Sequence, residues 1–208
     1  MIGIICPSQF EYEVLSRAHL TRKGDHLVLS GMGKLRAAHA CHRLARDHDV
    51  KWILLIGYAG GLSNLSVGDV MEPDTFIEQD YFAEPFEKFP NILSKEDPKR
   101  LLGSSKSGLM LTQDRFLTSN PYKDSEYAKK YPRIACDMES YAVAHFCRES
   151  GLPYSVVKLI SDSADANADH DFLKACRELA PLLNDTALDC LEKIRAALRR
   201  PSADLLLQ

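Results

Sequence analysis

Short, nearly continuous apolar runs alternate along this chain with stretches of helical periodicity. IGIIC (2–6), WILLI (52–56), LMLT (109–112) and SVVKLI (155–160) are too short for stable helices and lack a period of two. Strands buried on both faces read this way. Strands are therefore expected at Ile2–Cys6, Leu27–Ser30, Trp52–Ile56, Val70–Gln79, Leu109–Thr112, Arg133–Cys136 and Tyr154–Ser161. Between and after them, helices are expected at Glu11–Ala18, Leu35–His48, Tyr122–Lys130, Ser140–Ser150 and Asp169–Arg199, the last kinked or divided by Pro181. The alternation argues for an α/β fold of three layers, α/β/α, with a largely parallel, mixed central sheet. With 208 residues, 45% of them hydrophobic, one core suffices. A single domain over residues 1–200 is expected, with 201–208 as a frayed tail. The stretch from Phe82 to Lys106, rich in proline and charge, reads as the longest loop.

Charge narrows the function. The 26 basic and 29 acidic residues are intermixed, without a basic stripe, so nucleic acid is not an expected partner. No apolar run approaches the roughly 20 residues that span a bilayer, and none is expected to. The start, MIGIICPSQF, lacks a basic leader and reads as a first strand. Six cysteines without CxxC spacing read as small buried side chains in a reducing compartment, so the cytoplasm is the expected location. His39 and His42 lie one helical turn apart, but their pattern fits a solvated face. No metal site is expected.

Five features carry chemistry. Ser30-Gly31-Met32-Gly33-Lys34 joins a strand to a helix, and its glycines let backbone N–H groups approach an anion or ribose oxygen, or simply make a tight turn. Gly57-Tyr58-Ala59-Gly60-Gly61-Leu62 follows an apolar strand and reads as a close-approach loop or a turn. Glu11, after the first strand, is placed to activate water or to favour a helix start. Phe116, in Asp114-Arg115-Phe116-Leu117, is a stacking surface or a core residue. Glu139 and Asp162 each follow a strand within IACDMESYAVAHFCRESGLPYSVVKLISDSAD. Ligands of open α/β sheets bind outside the carboxyl ends of strands, where two acids can hold a polar ligand and move a proton.

The order of these features resembles the methylthioadenosine/S-adenosylhomocysteine nucleosidases of the wider nucleoside phosphorylase superfamily. SGMGK, AGGL with VGDV, DRFL, DMES with AVAHFC, and ISDSAD lie collinear over about four fifths of the chain. The resemblance implies a nucleoside phosphorylase-like fold and hydrolysis of the N-glycosidic bond of a 5′-modified adenosine. It implies that Glu11 orients and deprotonates the attacking water and that Asp162, beside Ser161, protonates purine N7. It further implies ribose contacts from Met138 and Glu139, stacking of the base on Phe116, a base-edge contact from the Leu117 backbone, and substrate contacts from Gly33 and Tyr58. It implies a small-molecule nucleoside as partner, no metal or redox cofactor, and a homodimer to which the aromatic Phe82–Phe89 segment contributes.

Those roles match the chemistry. Breaking an N-glycosidic bond builds positive charge on the sugar and negative charge on the departing base. An acid kept protonated by burial makes the base a better leaving group. Carboxylates divide acid and base work in the same way around glycosides. The chain also departs from the family. Ile56-Gly57-Tyr58 stands where Thr-Gly-Ser is common, and the region between Glu13 and Leu27 is short. The DMES and GxAGGL variants also resemble the hopanoid-associated phosphorylase-like branch, whose members act on adenosyl-lipid precursors. A phosphorylase with Arg36 or Arg115 as phosphate contacts, and a non-catalytic nucleoside-binding or storage protein, are the alternatives.

Overall fold

The computed structural model describes residues 1–81, 92–93 and 98–199. In chain order the elements are β1 (Ile2–Cys6), α1 (Gln9–Arg17), β2 (His26–Leu29), α2 (Lys34–His48), β3 (Trp52–Ser63), β4 (Val70–Met71) and β5 (Thr75–Glu78). There follow β6 (Ile92–Leu93), β7 (Leu109–Thr112), α3 (Glu126–Lys130), β8 (Ile134–Asp137), α4 (Ser140–Glu149), β9 (Tyr154–Asp162), α5 (Ala168–Glu178) and α6 (Ala180–Arg199). All nine strands join one mixed sheet.

Side-chain alternation along β3 sets up the layers. Ile53, Leu55 and Ala59 face one core with Ala37, Cys41 and Leu44 of α2 and Val143, Ala144 and Cys147 of α4. Trp52, Leu54, Ile56 and Tyr58 face a second core with Leu15 of α1, Cys176 of α5 and Leu183, Leu191 and Ile194 of α6. Helices thus cover both faces of the central strands, as the continuous apolar runs require.

β3 is also where the sheet forks. Its first residues, Trp52 to Leu55, pair parallel with β1, and its last, Gly60 to Ser63, pair antiparallel with β8. Its other edge runs parallel with β9 from Ile53 to Gly60. Between Leu55 and Gly60 the first edge therefore has no strand beside it. The carboxyl ends of β1 and β8 point toward each other across this gap, and the chain turns outward from both. A crevice follows from the topology.

Several boundaries differ from those expected. Gly57 to Leu62 is not a turn but the second half of a twelve-residue strand. None of Gly57, Gly60 and Gly61 has a positive φ, so these positions are glycine for space. The expected strand Val70–Gln79 is divided at Glu72-Pro73-Asp74 into β4 and β5, because proline cannot donate to a ladder. The expected helix Asp169–Arg199 is divided at Leu179, which leaves Pro181 in the first turn of α6, where its missing N–H costs nothing. α3 starts later than Tyr122, at Glu126, capped by the Ser125 hydroxyl. Most of the expected Phe82–Lys106 loop, including Phe82–Phe89, and the tail 201–208 lie outside the described residues.

Candidate active site

A cavity of about 520 Å³, its open mouth included, occupies the crevice. Eight of the nine residues singled out from the sequence line it: Glu11, Tyr58, Phe116, Leu117, Met138, Glu139, Ser161 and Asp162. The ninth, Gly33, stands behind the wall. Its N–H donates to Glu139 Oε1 at 2.9 Å. The glycine loop reaches the cavity wall through Met32, while the Gly33 amide holds Glu139. Gly31 and Gly33 do adopt left-handed φ values of 83° and 108°, but the amide freed by that turn holds an acid.

Glu11 unites the two readings open for it. Ser8 caps α1 and accepts from the Glu11 N–H, while the Ser8 N–H donates back to Glu11 Oε2 at 2.6 Å. This is a capping box. The other oxygen, Oε1, accepts from the Tyr58 N–H at 2.9 Å. That amide lies on the stretch of β3 whose first edge has no strand beside it, so the carboxylate completes that edge. A Cβ on Gly57 would overlap the Glu11 carboxyl group. Burial raises the Glu11 pKa, against the pull of Lys158 and the bonds from Ser8 and Tyr58.

Lys158, in the middle of β9, has no exposed surface. It is in register with Gly57, and the missing side chain there leaves room beside it. Its ammonium reaches Asp137 Oδ2 at 3.0 Å and Glu139 Oε2 at 3.4 Å. Burial alone would push its pKa down, but Asp137, Glu139 and Glu11 together hold it above its ordinary value. Glu139 is pushed up to about 7 by burial and by Asp137, with Lys158 and the Gly33 amide opposing. Asp137 also accepts from Thr112 Oγ1 and Ser140, tying β7 and α4 to the cluster.

Asp162 lies at the far end of β9. Ser161 Oγ donates to its Oδ2 at 2.7 Å and the Ala164 N–H to its Oδ1 at 2.8 Å. Burial raises its pKa, those two bonds lower it, and Asp171 and Asp165 raise it further. A Cβ on Gly60 would sit 3.0 Å from both Asp162 Oδ1 and Cys136 Sγ. Gly57 and Gly60 thus each clear the strand surface for one acid.

Three lining or supporting residues were not singled out from the sequence as site residues. Lys158 was legible only as a charge inside an apolar run, which demands a buried partner. Asp137 passed as the end of a strand. Phe172 lies within the expected helix Asp169–Arg199 with no motif to mark it, yet it lines the cavity and stands edge-on to Phe10, Tyr58 and Phe116.

A family model described as the phosphorylase superfamily matches residues 2–191. A 5′-methylthioadenosine/S-adenosylhomocysteine nucleosidase of Buchnera aphidicola is 33% identical over 167 residues, 71% of this chain and 66% of that protein. The protein of the same name from Thermotoga maritima is 27% identical over 202 residues, covering 90% of this chain and 93% of its own. The crystal structure of Streptococcus pneumoniae MTA/SAH nucleosidase in complex with 8-aminoadenine matches with a TM-score of 0.78 and 25% identity, over 92% of this chain and 99% of that one.

Proposed function

The chain belongs to the phosphorylase superfamily, and from that premise we propose that it is an N-glycosidic hydrolase releasing adenine from a 5′-substituted adenosine. The observation that carries this reading is the placement of two buried acids, Glu11 and Asp162, on the wall of one cavity, each with its pKa raised. A raised pKa suits both jobs, since it makes one carboxylate a stronger base and lets the other hold its proton to higher pH than an ordinary carboxyl group.

The reaction balances on these groups. Water attacks C1′ while Glu11 takes its proton. The C1′–N9 bond breaks and its electron pair leaves with the base. Asp162 gives its proton to N7, and Ser161 fixes the orientation of that carboxyl group. Phe116 stacks on the base and the Leu117 backbone meets its edge. Met138 packs on the ribose, and Glu139, held by Gly33 and Lys158, accepts from its hydroxyls. Asp137 supports Glu139 by sharing the one buried cation.

Charge favours water over phosphate as the nucleophile. Among the described residues, Glu11, Asp137, Glu139 and Asp162 are buried against one buried cation, Lys158, and Lys158 is already engaged. Of the two arginines considered for a phosphate, Arg36 donates to the Met32 carbonyl at 2.9 Å, and Arg115 lines the cavity from an exposed position. No helix among the described residues is long and apolar enough to cross a membrane, and six free, buried cysteines fit a cytoplasmic enzyme. We infer a homodimer as its working form, supported by exposed Phe10, Met32 and Leu35.

The test is adenine release from a panel of 5′-substituted adenosines, with and without phosphate. Turnover in phosphate-free buffer, with free ribose derivative as product, is expected. Strict dependence on phosphate, with a ribose 1-phosphate as product, would refute hydrolysis.

A further inference from the structure

The proposed roles use most of the cavity's polar groups. Asp162 and Leu117 meet the base, Glu139 meets the ribose, and Glu11 meets the nucleophile. The wall that remains is aromatic. Phe172 is its centre, with ring centroids 6.3 Å from Phe10, 6.1 Å from Tyr58 and 5.9 Å from Phe116, all edge-on. Phe10, packed edge-on against Phe172 from outside the lining, is 48% exposed. A substituent leaving the ribose has to pass along this wall.

Of the three rings that line the cavity here, Tyr58, Phe116 and Phe172, only Tyr58 carries a polar atom, its hydroxyl; Arg115 lines the cavity from an exposed position. Tyr58 is 5% exposed, and its hydroxyl is buried without a hydrogen-bond partner among the described residues. No other cavity-lining side chain leaves a buried polar atom in that condition. Burial, with Cys176 and Glu11 adding to it, raises the phenol's pKa, so it is a neutral donor at every physiological pH. A phenylalanine would fill the same space with no orphaned group. An unpaired hydroxyl is costly to bury, and the cost is removed when a ligand supplies the partner.

We propose that Tyr58 is a specificity-determining residue whose hydroxyl hydrogen-bonds a polar atom on the 5′ side of the nucleoside. It selects 5′ substituents that carry oxygen or nitrogen next to the ribose over purely apolar ones. This rests on the nucleosidase reading above. Sites built to hydrogen-bond a substrate group reject analogues lacking it far more strongly than apolar pockets sort by size.

The experiment compares kcat/KM for adenosine and 5′-deoxyadenosine, which differ only in the 5′ hydroxyl, in wild type and Tyr58→Phe. The wild type is expected to prefer adenosine by about tenfold or more. Tyr58→Phe is expected to bring the ratio close to one, with the loss falling on adenosine. Equal wild-type rates, an unchanged ratio in the variant, or an equal loss on both substrates would each overturn the proposal. The last result would put the hydroxyl on the attacking water. The wild-type ratio stands even where the variant fails to fold, as its melting curve would reveal. Release of adenine from neither nucleoside, nor from any other in the panel, would overturn the nucleosidase reading itself.

Discussion

Asp162 ties catalysis to stability, and the two respond to its removal in opposite directions. An amide cannot donate the proton that N7 needs, so Asp162→Asn is expected to lower kcat by at least about 10²-fold. The fold should not suffer. Asp162 has a raised pKa because its charged form is buried. Its contribution to stability is therefore complete below the unfolded value of about 3.9 and is lost as pH rises through the folded pKa. Above that window the wild type carries a buried charge that the variant lacks. Thermal melts should show Asp162→Asn equal to or above the wild type at pH 8, with the advantage gone near pH 4. A variant that melts lower at pH 8 would mean that the carboxylate is a structural anchor. Lys158 shows why single residues were unequally legible. A strand-end acid such as Asp162 advertises itself by position. Lys158 acts through Asp137 and Glu139 at the end of β8 and through Glu11 of α1, and no linear pattern records that meeting.

The first helix carries two tasks on one turn. Ser8 closes its start through the side chain, while the Ser8 backbone N–H holds the Glu11 carboxylate. The tasks are separable. Ser8→Ala should lose the cap, about 1 kcal/mol, and lower Tm by about 2–4 °C for a chain of this size. The backbone contact survives, so kcat should change far less than in Glu11→Gln, which removes the base. Calorimetry paired with initial rates checks this, and a fall in kcat as large for Ser8→Ala as for Glu11→Gln would deny the separation. The strands before the helices were readable because burial on both faces writes continuous apolar runs. The second half of β3 was not. Three glycines in five residues signal a turn when conformational freedom is the usual reason for glycine. Here Gly57 and Gly60 are extended and serve two acids that arrive from other elements. The division of α5 from α6 was half legible, since Pro181 marked it but the break fell at Leu179.

At the scale of the whole molecule, the helix-covered sheet followed from the alternation of runs, but the fork at β3 did not. Pairing with β1, β8 and β9 at once is a long-range matter that no local window contains. The assembly is another such matter. Phe10, Met32 and Leu35 are 48%, 39% and 82% exposed. Light scattering at micromolar concentration is expected to give twice the 23.3 kDa chain mass. A fully active particle of single-chain mass would show that one chain completes its own site.

The fork has a consequence for how the protein is made. Glu11 emerges early in translation, whereas Lys158 and Asp162 arrive on the last strand, which inserts between β3 and β4 rather than adding at a rim. At ordinary elongation rates the stretch between them takes roughly 10–30 s to synthesise. From the completion of β3 until β9 emerges, the long edge of β3 lacks its neighbour, and an apolar edge of that kind invites pairing with other chains. A prematurely terminated product without β9 would lack both Asp162, the proposed proton donor, and the buried Lys158. Such fragments would be inert toward nucleosides and prone to aggregate, leaving hydrolysis to chains that the ribosome has carried past β9.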